Sequence, residues 1–132
     1  MKNKFAQYIG MVCVFYIPAP KLDDKSYIND AMTLFDLPRE ILHEYFVINH
    51  NAYTHEVSNI KGYWKNQEEL VLDQHERYEV SLCGKKNINE FVSFLSRFCH
   101  LIQEESIYLT MGCKSWLVKA NGFKGSIFSP KK

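Results

Sequence analysis

The feature that most constrains the fold is the apolar pattern over residues 88–103, where bulky side chains recur at helical spacing. One stripe of this predicted helix consists of Phe91, Leu95, Phe98 and Ile102. Four further apolar residues widen the stripe: Val92, Phe94, Cys99 and Leu101. A stripe this wide is typical of a helix that lies flat on a β-sheet. Asn87 and Glu90 have the spacing of a capping box, which predicts that the helix begins there.

The predicted strands are found on both sides of this helix in the sequence. Residues 5–17 are apolar on both alternating faces, which is typical of a central strand, and Pro18 and Pro20 end it. Residues 62–64 and 70–72 form a predicted hairpin around a turn at 65–68. Residues 78–82 alternate apolar and polar side chains, and residues 107–111 and 116–118 predict a closing hairpin.

Two shorter helices are predicted in the first half of the chain. Apolar residues recur at helical spacing over residues 27–35, with Asp24 or Ser26 available as N-cap. Asp36, followed by Pro38 in the first turn, predicts a second helix over residues 38–46. Residues 49–59 are polar and aperiodic and indicate a loop, with a short strand over 53–57 as the alternative.

This order of elements predicts an α+β fold. Two main helices on one face of a mostly antiparallel sheet form a two-layer sandwich of ferredoxin-like type. We expect residues 1–119 to make a single domain, followed by a basic, apolar-tipped C-terminal segment at 120–132. Residues 1–105 hold 11 lysines and arginines against 15 acidic residues, whereas residues 106–132 hold five lysines and no acidic residue.

Three parts of the chain carry a resemblance to known proteins. They are the run Gly62-Tyr63-Trp64 with the acidic turn after it, the strand at 78–82 with its helix, and the stretch at 103–108. Together they cover about half of the chain, which resembles small uncharacterised proteins carried by phages and plasmids. The resemblance implies a ferredoxin-like fold and brings no known catalytic residue.

The cysteines and the N-terminus favour a cytoplasmic protein. The apolar N-terminal run is interrupted by polar residues, is too short to span a bilayer and lacks a cleavage site, so we interpret it as a strand. No two of the four cysteines are spaced Cys-x-x-Cys. The sequence therefore predicts free thiols, no structural metal and no cofactor.

The five histidines are the candidates for acid–base or metal chemistry. His43, His50 and His55 lie close in sequence but lack the i, i+4 spacing of a helical metal pair. His75 stands among carboxylates in a predicted turn at 73–76, where it could act as a general acid. Adjacent helical residues point about 100° apart, so Cys99 and His100 cannot form a nucleophilic pair.

The surface offers the remaining candidates. Aromatic residues on an open sheet face could anchor a protein partner, or they could fill the second face of the sheet in a homodimer or in the monomer core. The candidate partner-binding residues are Tyr63, Trp64, Tyr108, Trp116, Phe123, Ile127 and Phe128. Few arginines accompany them, so a protein partner ranks above nucleic acid.

The sequence thus predicts a non-enzymatic protein-interaction module. We expect a homo-oligomer without a membrane partner, encoded by a mobile element to inhibit or modulate a host defence complex. One alternative is a nucleic-acid or nucleotide binder that holds anions with Lys114, Lys119 and Lys124 beside the sheet aromatics. The other is a small hydrolase centred on His50, His55 and His75.

Overall fold

A computed structural model of the chain describes residues 2–28, 35–66 and 69–121. Its strands are β1 (Met11–Pro18), β2 (Thr54–Asn66), β3 (Glu69–Leu82), β4 (Ser106–Met111) and β5 (Lys114–Lys119). Its helices are α1 (Ala19–Leu22), α2 (Pro38–His50) and α3 (Lys85–Leu101), with a 3-10 turn at Lys25–Tyr27. Within this part of the chain the five strands form an antiparallel sheet in the order β2-β3-β1-β4-β5. The predicted α+β two-layer sandwich is confirmed: β1-α2-β2-β3-α3-β4 is the βαββαβ element order, to which β5 adds an edge strand.

The predicted central strand exists but is shorter at its N-terminal end. β1 pairs with β3 over its whole length and with β4 from Cys13 to Phe15. Residues 5–10 are not part of it, and the Phe5 side chain is 86% exposed. Gly10 gives the reason, because its φ of 116° is unfavourable for an extended L-residue and a Cβ there would lie 2.2 Å from the Leu82 carbonyl oxygen.

The core lies between the sheet and helices α2 and α3. The four predicted stripe residues, three on α3 and one at its C-cap, are fully buried, as predicted: Phe91, Leu95, Phe98 and Ile102. The β1 residue Phe15 stands at the centre of an aromatic cluster. Its ring centroid lies 5.8 Å from Phe46 of α2, 5.1 Å from Tyr78 of β3 and 5.7 Å from Phe91 of α3. These contacts join both helices to the middle of the sheet.

Several predicted boundaries are wrong. Residues 69–82 form one continuous strand, so residues 73–76 are not a turn. α2 runs on to His50, with Asn51 as its C-cap in the left-handed region, and β2 begins at Thr54. The loop is therefore limited to residues 51–53, and the alternative of a strand around 53–57 agrees with β2. The N-cap of α2 is Leu37 rather than Asp36.

The predictions for the start of α3 and for a helix over residues 27–35 also differ from the structure or lie largely outside the described residues. Gly84 is the N-cap of α3, and the Asn87 amide donates to the Cys83 carbonyl oxygen instead of closing a capping box. The helix predicted over 27–35 lies largely outside the described residues, which show only α1 and the 3-10 turn in this region. None of the described helices is both long and apolar enough to cross a membrane.

The four cysteines are free and divide into two classes. Cys83 and Cys113 are exposed, whereas Cys13 and Cys99 are buried. Burial raises the pKa of Cys13 to about 11 and that of Cys99 to about 12. Because the thiolate is the reactive form, we expect two thiols to react quickly with a disulfide reagent in the folded protein and all four after denaturation without reductant. A count below four in the denatured protein would contradict the prediction of free thiols.

Candidate functional site

The candidate site is a pocket of about 600 Å³ on the face of the sheet opposite the helices. Tyr16, His75 and Tyr108 line it, and each is followed along its strand by a residue of the buried helix-facing side. The full lining is Tyr16, Pro18, Ile60, Lys61, Gly62, Tyr63, Asp73, His75, Glu104, Glu105, Ser106, Ile107, Tyr108 and Leu117.

Three separate segments converge to form the pocket. The floor is the end of β1, where Pro18 pairs with His75 of β3. Beyond that pair, β2 and β3 continue as a two-stranded ribbon from Ile60 opposite His75 to Asn66 opposite Glu69, and this ribbon makes one wall. The opposite wall is the connection from α3 to β4 at residues 104–106, together with the first residues of β4.

The charge of the pocket is mainly negative. Asp73, Glu104 and Glu105 contribute carboxylates to the lining, and Lys61 contributes a positive charge. The Glu104 side chain is held by Lys21 of α1, whose Nζ lies 2.8 Å from Oε1. The Glu104 backbone N–H also donates to the Cys99 carbonyl oxygen at 3.0 Å, so the carboxylate is carried on a well-defined turn after α3.

The apolar part of the pocket is aromatic. The rings of Tyr16 and Tyr108 lie with their centroids 6.2 Å apart, and the Tyr108 hydroxyl is 3.0 Å from the Ser115 hydroxyl of β5. Tyr63 stands on the ribbon with its side chain well exposed. Flat apolar surfaces next to carboxylates suit a ligand that has an aromatic ring and a positive charge.

An ion-pair cluster centred on the buried Glu76 lies behind the pocket on the helix side of the sheet. Arg39 of α2 bridges Asp23 and Glu76, with Nη1 2.6 Å and Nη2 2.9 Å from the Glu76 carboxylate oxygens. His55 Nε2 lies 2.6 Å from the same carboxylate. Glu76 is only 4% exposed, and the hydrogen bonds from Arg39 and then His55 lower its pKa against the opposing effect of burial. The sequence pattern predicts a turn at Glu76 and gives no sign of this cluster.

Three of the predicted partner-binding residues have described side chains, and these three lie in two places. Tyr63 and Tyr108 line the pocket, whereas Trp116 lies on β5, half exposed and outside the lining. Trp64 belongs to β2, and its side chain is outside the described part of the structure. Outside the described residues lie Phe123, Ile127 and Phe128.

Two of the predicted anion-binding lysines lie in the described part of the chain. Lys114 and Lys119 are exposed at opposite ends of β5, about 17 Å apart for an extended strand. Lys124 lies outside the described residues.

The histidines are dispersed, which contradicts the hydrolase hypothesis. Tyr78, which pairs with His55, belongs to the core, whereas His75 lies three residues away along β3 and faces the other side. His50 Nε2 is 3.4 Å from the Tyr45 hydroxyl. His43 Nδ1 lies 2.8 Å from the Tyr53 hydroxyl. Among the described residues there is no group of three or more His, Cys, Asp or Glu side chains placed to hold a metal ion.

Comparison with known proteins gives a likeness of fold. No protein-family model and no curated protein matches the chain. A solved structure of a phage SAM lyase in complex with S-methyl-5'-thioadenosine is similar, with a TM-score of 0.50 and 11% identity over 88% of this chain and 94% of that one. A phage SAM lyase in the apo state has a TM-score of 0.48 and 12% identity over 87% and 93% of the two chains.

This comparison corrects the main functional hypothesis. The sequence favoured a non-enzymatic interaction module that inhibits a host complex, but the protein that shares the fold is an enzyme, and the open sheet face holds a pocket of small-molecule size. The similar structure with the TM-score of 0.50 is of a phage protein, and the sequence resemblance was to proteins carried by phages and plasmids. The likeness places the chain with the fold of these lyases.

Proposed function

We propose that the chain is an enzyme that binds an adenosyl sulfonium compound, S-adenosylmethionine, in the pocket on the sheet face opposite the helices. It would cleave one of the carbon–sulfur bonds of this compound. The observation that carries the proposal is the combination of tyrosine rings and carboxylates around about 600 Å³ of space. The shared fold with a SAM lyase supplies the class of ligand.

The size and the walls of the pocket suit a nucleoside. Pockets for ligands of this size generally enclose about 300–1,000 Å³ and have apolar or aromatic linings with a few polar groups. The ring pair of Tyr16 and Tyr108 offers a stacking surface for a purine, because offset aromatic stacking stabilises flat rings beyond their apolar contact.

The carboxylates suit the positive charge of the ligand. A sulfonium is a permanent cation, so it gains from Asp73, Glu104 and Glu105 without any proton transfer. The Lys21 ion pair fixes Glu104 and leaves the exposed Glu105 to meet the ligand directly.

The chemistry needs little from the protein beyond placement. When the bond between sulfur and the amino-acid chain of S-adenosylmethionine breaks, its electron pair goes to sulfur, and the sulfonium becomes the neutral thioether S-methyl-5'-thioadenosine. In a lyase reaction the amino-acid fragment that leaves sulfur either forms a ring by bonding to its own carboxylate or loses a proton. The pocket would act by holding the fragment in a reactive conformation, an entropic contribution.

The test is product formation from S-adenosylmethionine. Purified protein should convert it to S-methyl-5'-thioadenosine, detected by liquid chromatography with mass spectrometry. Replacing Glu105 with glutamine should raise KM up to about fivefold, because an exposed charge pair contributes at most about 1 kcal/mol. Glu40→Gln, on the exposed side of α2, is the matched control and should leave KM unchanged. The proposal is refuted if the wild-type protein neither binds S-adenosylmethionine nor turns it over.

A further inference from the structure

The pocket holds one side chain whose hydrogen-bonding role follows from its surroundings. We propose that His75 is the hydrogen-bond acceptor that recognises a donor group of the nucleoside ligand, and that Gly62 is the residue that positions its ring. This inference rests on the proposed function, since it assigns residues of the same pocket. It concerns two adjacent strands: His75 lies on β3 and Gly62 on β2, next to the His75–Ile60 pair.

The tautomer of His75 is set by the backbone. Its Nδ1 lies 3.1 Å from the carbonyl oxygen of Asp73. A carbonyl oxygen can only accept, so Nδ1 must carry the hydrogen and donate it. In the neutral ring Nε2 then keeps its lone pair. Within the described part of the chain no hydrogen bond is made to Nε2, and His75 lines the pocket, so this lone pair is available to a ligand.

The imidazole ring of His75 can occupy its position because Gly62 has no Cβ. A Cβ at Gly62 would lie 2.4 Å from Cε1 and 2.6 Å from Nδ1 of His75, well inside van der Waals contact. The backbone of Gly62 is not in the left-handed region, so alanine fits the strand itself. An added methyl group would therefore push the imidazole from its place and weaken its bond to Asp73, while the strand stays paired.

The strand that carries His75 is anchored at the next residue. Glu76 is held on the other side of the sheet by Arg39 and His55. A two-stranded ribbon alone is marginally stable, so this anchor fixes β3 at the point where the ribbon leaves the sheet. His75 consequently stands at the last firmly held position of the wall, a suitable place for a group that must recognise a ligand.

The donor that His75 would recognise belongs to the nucleoside part of the ligand. A nucleoside thioether offers two kinds of donor, the ribose hydroxyls and the amino group of adenine. Both would give the same contact with Nε2, so ligand analogues must separate them. The 2'-deoxy analogue of S-methyl-5'-thioadenosine lacks one hydroxyl, and the purine analogue with hydrogen in place of the 6-amino group lacks that donor.

The first experiment needs no ligand. Long-range ¹H–¹⁵N spectra of the imidazoles should show the Nδ1–H tautomer for His75 at neutral pH. In Gly62→Ala the His75 signals should shift, while the thermal midpoint changes little. An Nε2–H tautomer, or unchanged His75 signals in Gly62→Ala, would overturn the assignment of an acceptor positioned by Gly62.

The second experiment is a double-mutant cycle of binding to S-methyl-5'-thioadenosine, measured by calorimetry. His75→Ala should weaken binding about fivefold, the effect of one net hydrogen bond. Gly62→Ala should weaken it by a similar factor in the wild-type background and hardly at all in His75→Ala, because the ring that it displaces is gone. Lys65→Ala, on the same strand as Gly62 and outside the pocket lining, is the control.

The outcomes separate the two proposals. If the wild-type protein binds the thioether and His75→Ala binds it equally well, the role of His75 is refuted while the proposed function stands. If the two effects of the cycle simply add, Gly62 does not act through His75. If the wild-type protein neither binds the thioether nor turns over S-adenosylmethionine, the proposed function fails and the ligand role of His75 fails with it. A loss of discrimination against one analogue in His75→Ala identifies the donor group.

Discussion

Replacing Phe98 with alanine is expected to lower the free energy of unfolding by about 3–5 kcal/mol. The side chain is fully buried between α3 and the sheet, and its ring lies 6.1 Å from that of Phe94 on the same helix. The substitution removes the apolar contact and leaves a cavity that the surrounding aromatic core can fill only in part. Chemical denaturation followed by tryptophan fluorescence would measure the change.

Phe5→Ala is the matched control for this prediction. The same ring is removed there, but its side chain is 86% exposed, so the free energy of unfolding should change by less than about 0.5 kcal/mol. A cost at Phe98 as small as that at Phe5 would mean that the apolar stripe of α3 does not pack on the sheet.

The sequence was most informative where local pattern and long-range packing agree. In α3 the helical spacing of apolar residues is itself the surface that the sheet covers, so the buried residues could be predicted one by one. The same holds for β4 and β5, whose bounds differ little from the predicted hairpin. In these elements the residues that determine local structure also make the core contacts.

The error at residues 73–76 has a different cause. Four polar residues in a row were interpreted as a turn, yet β3 passes through them without a break. Glu76 can be buried there because Arg39, 37 residues earlier, supplies a charged partner. No local pattern reveals such a partner. Residues 69–82 contain neither glycine, proline nor asparagine, three of the residues that favour turns, and this absence agrees with a continuous strand.

The candidate site could not be predicted for a related reason. Its floor is the end of β1, and its walls are the β2–β3 ribbon and the connection between α3 and β4, segments that are distant in sequence. Of the predicted surface residues, Tyr63 and Tyr108 belong to it. Gly62 and His75 become significant only through their contact across two strands, which depends on the register of the ribbon.

Replacing Arg39 with methionine is expected to destabilise the protein at neutral pH by about 3 kcal/mol, because it leaves the buried Glu76 carboxylate without its main partner. The Arg39 side chain is 30% exposed and that of Glu76 6%, so the pair is largely desolvated. Arg77→Met is the matched control on the next residue of β3. Its partner Glu79 has a side chain 37% exposed, and the loss of that surface pair should cost less than about 1 kcal/mol.

The pH dependence of stability separates a lost ion pair from a simple loss of packing at Arg39. In the folded protein the pKa of Glu76 is lowered, first by the hydrogen bonds from Arg39 and then by that from His55. A carboxyl group whose pKa falls on folding adds stability above its unfolded pKa, and this stability is lost as the pH falls through the folded-state pKa. Wild-type stability should therefore decline below about pH 4.5, the ordinary pKa of glutamate.

The variant should respond to acid less than the wild type. In Arg39→Met the burial of Glu76 is no longer offset by the guanidinium, so its pKa rises toward or above the ordinary value and protonation ceases to be destabilising. Urea denaturation at pH 7 and pH 3 should thus show a difference between wild type and variant that shrinks in acid. An equal difference at both pH values would show that Arg39 stabilises the fold through the packing of its apolar stem rather than through the Glu76 ion pair.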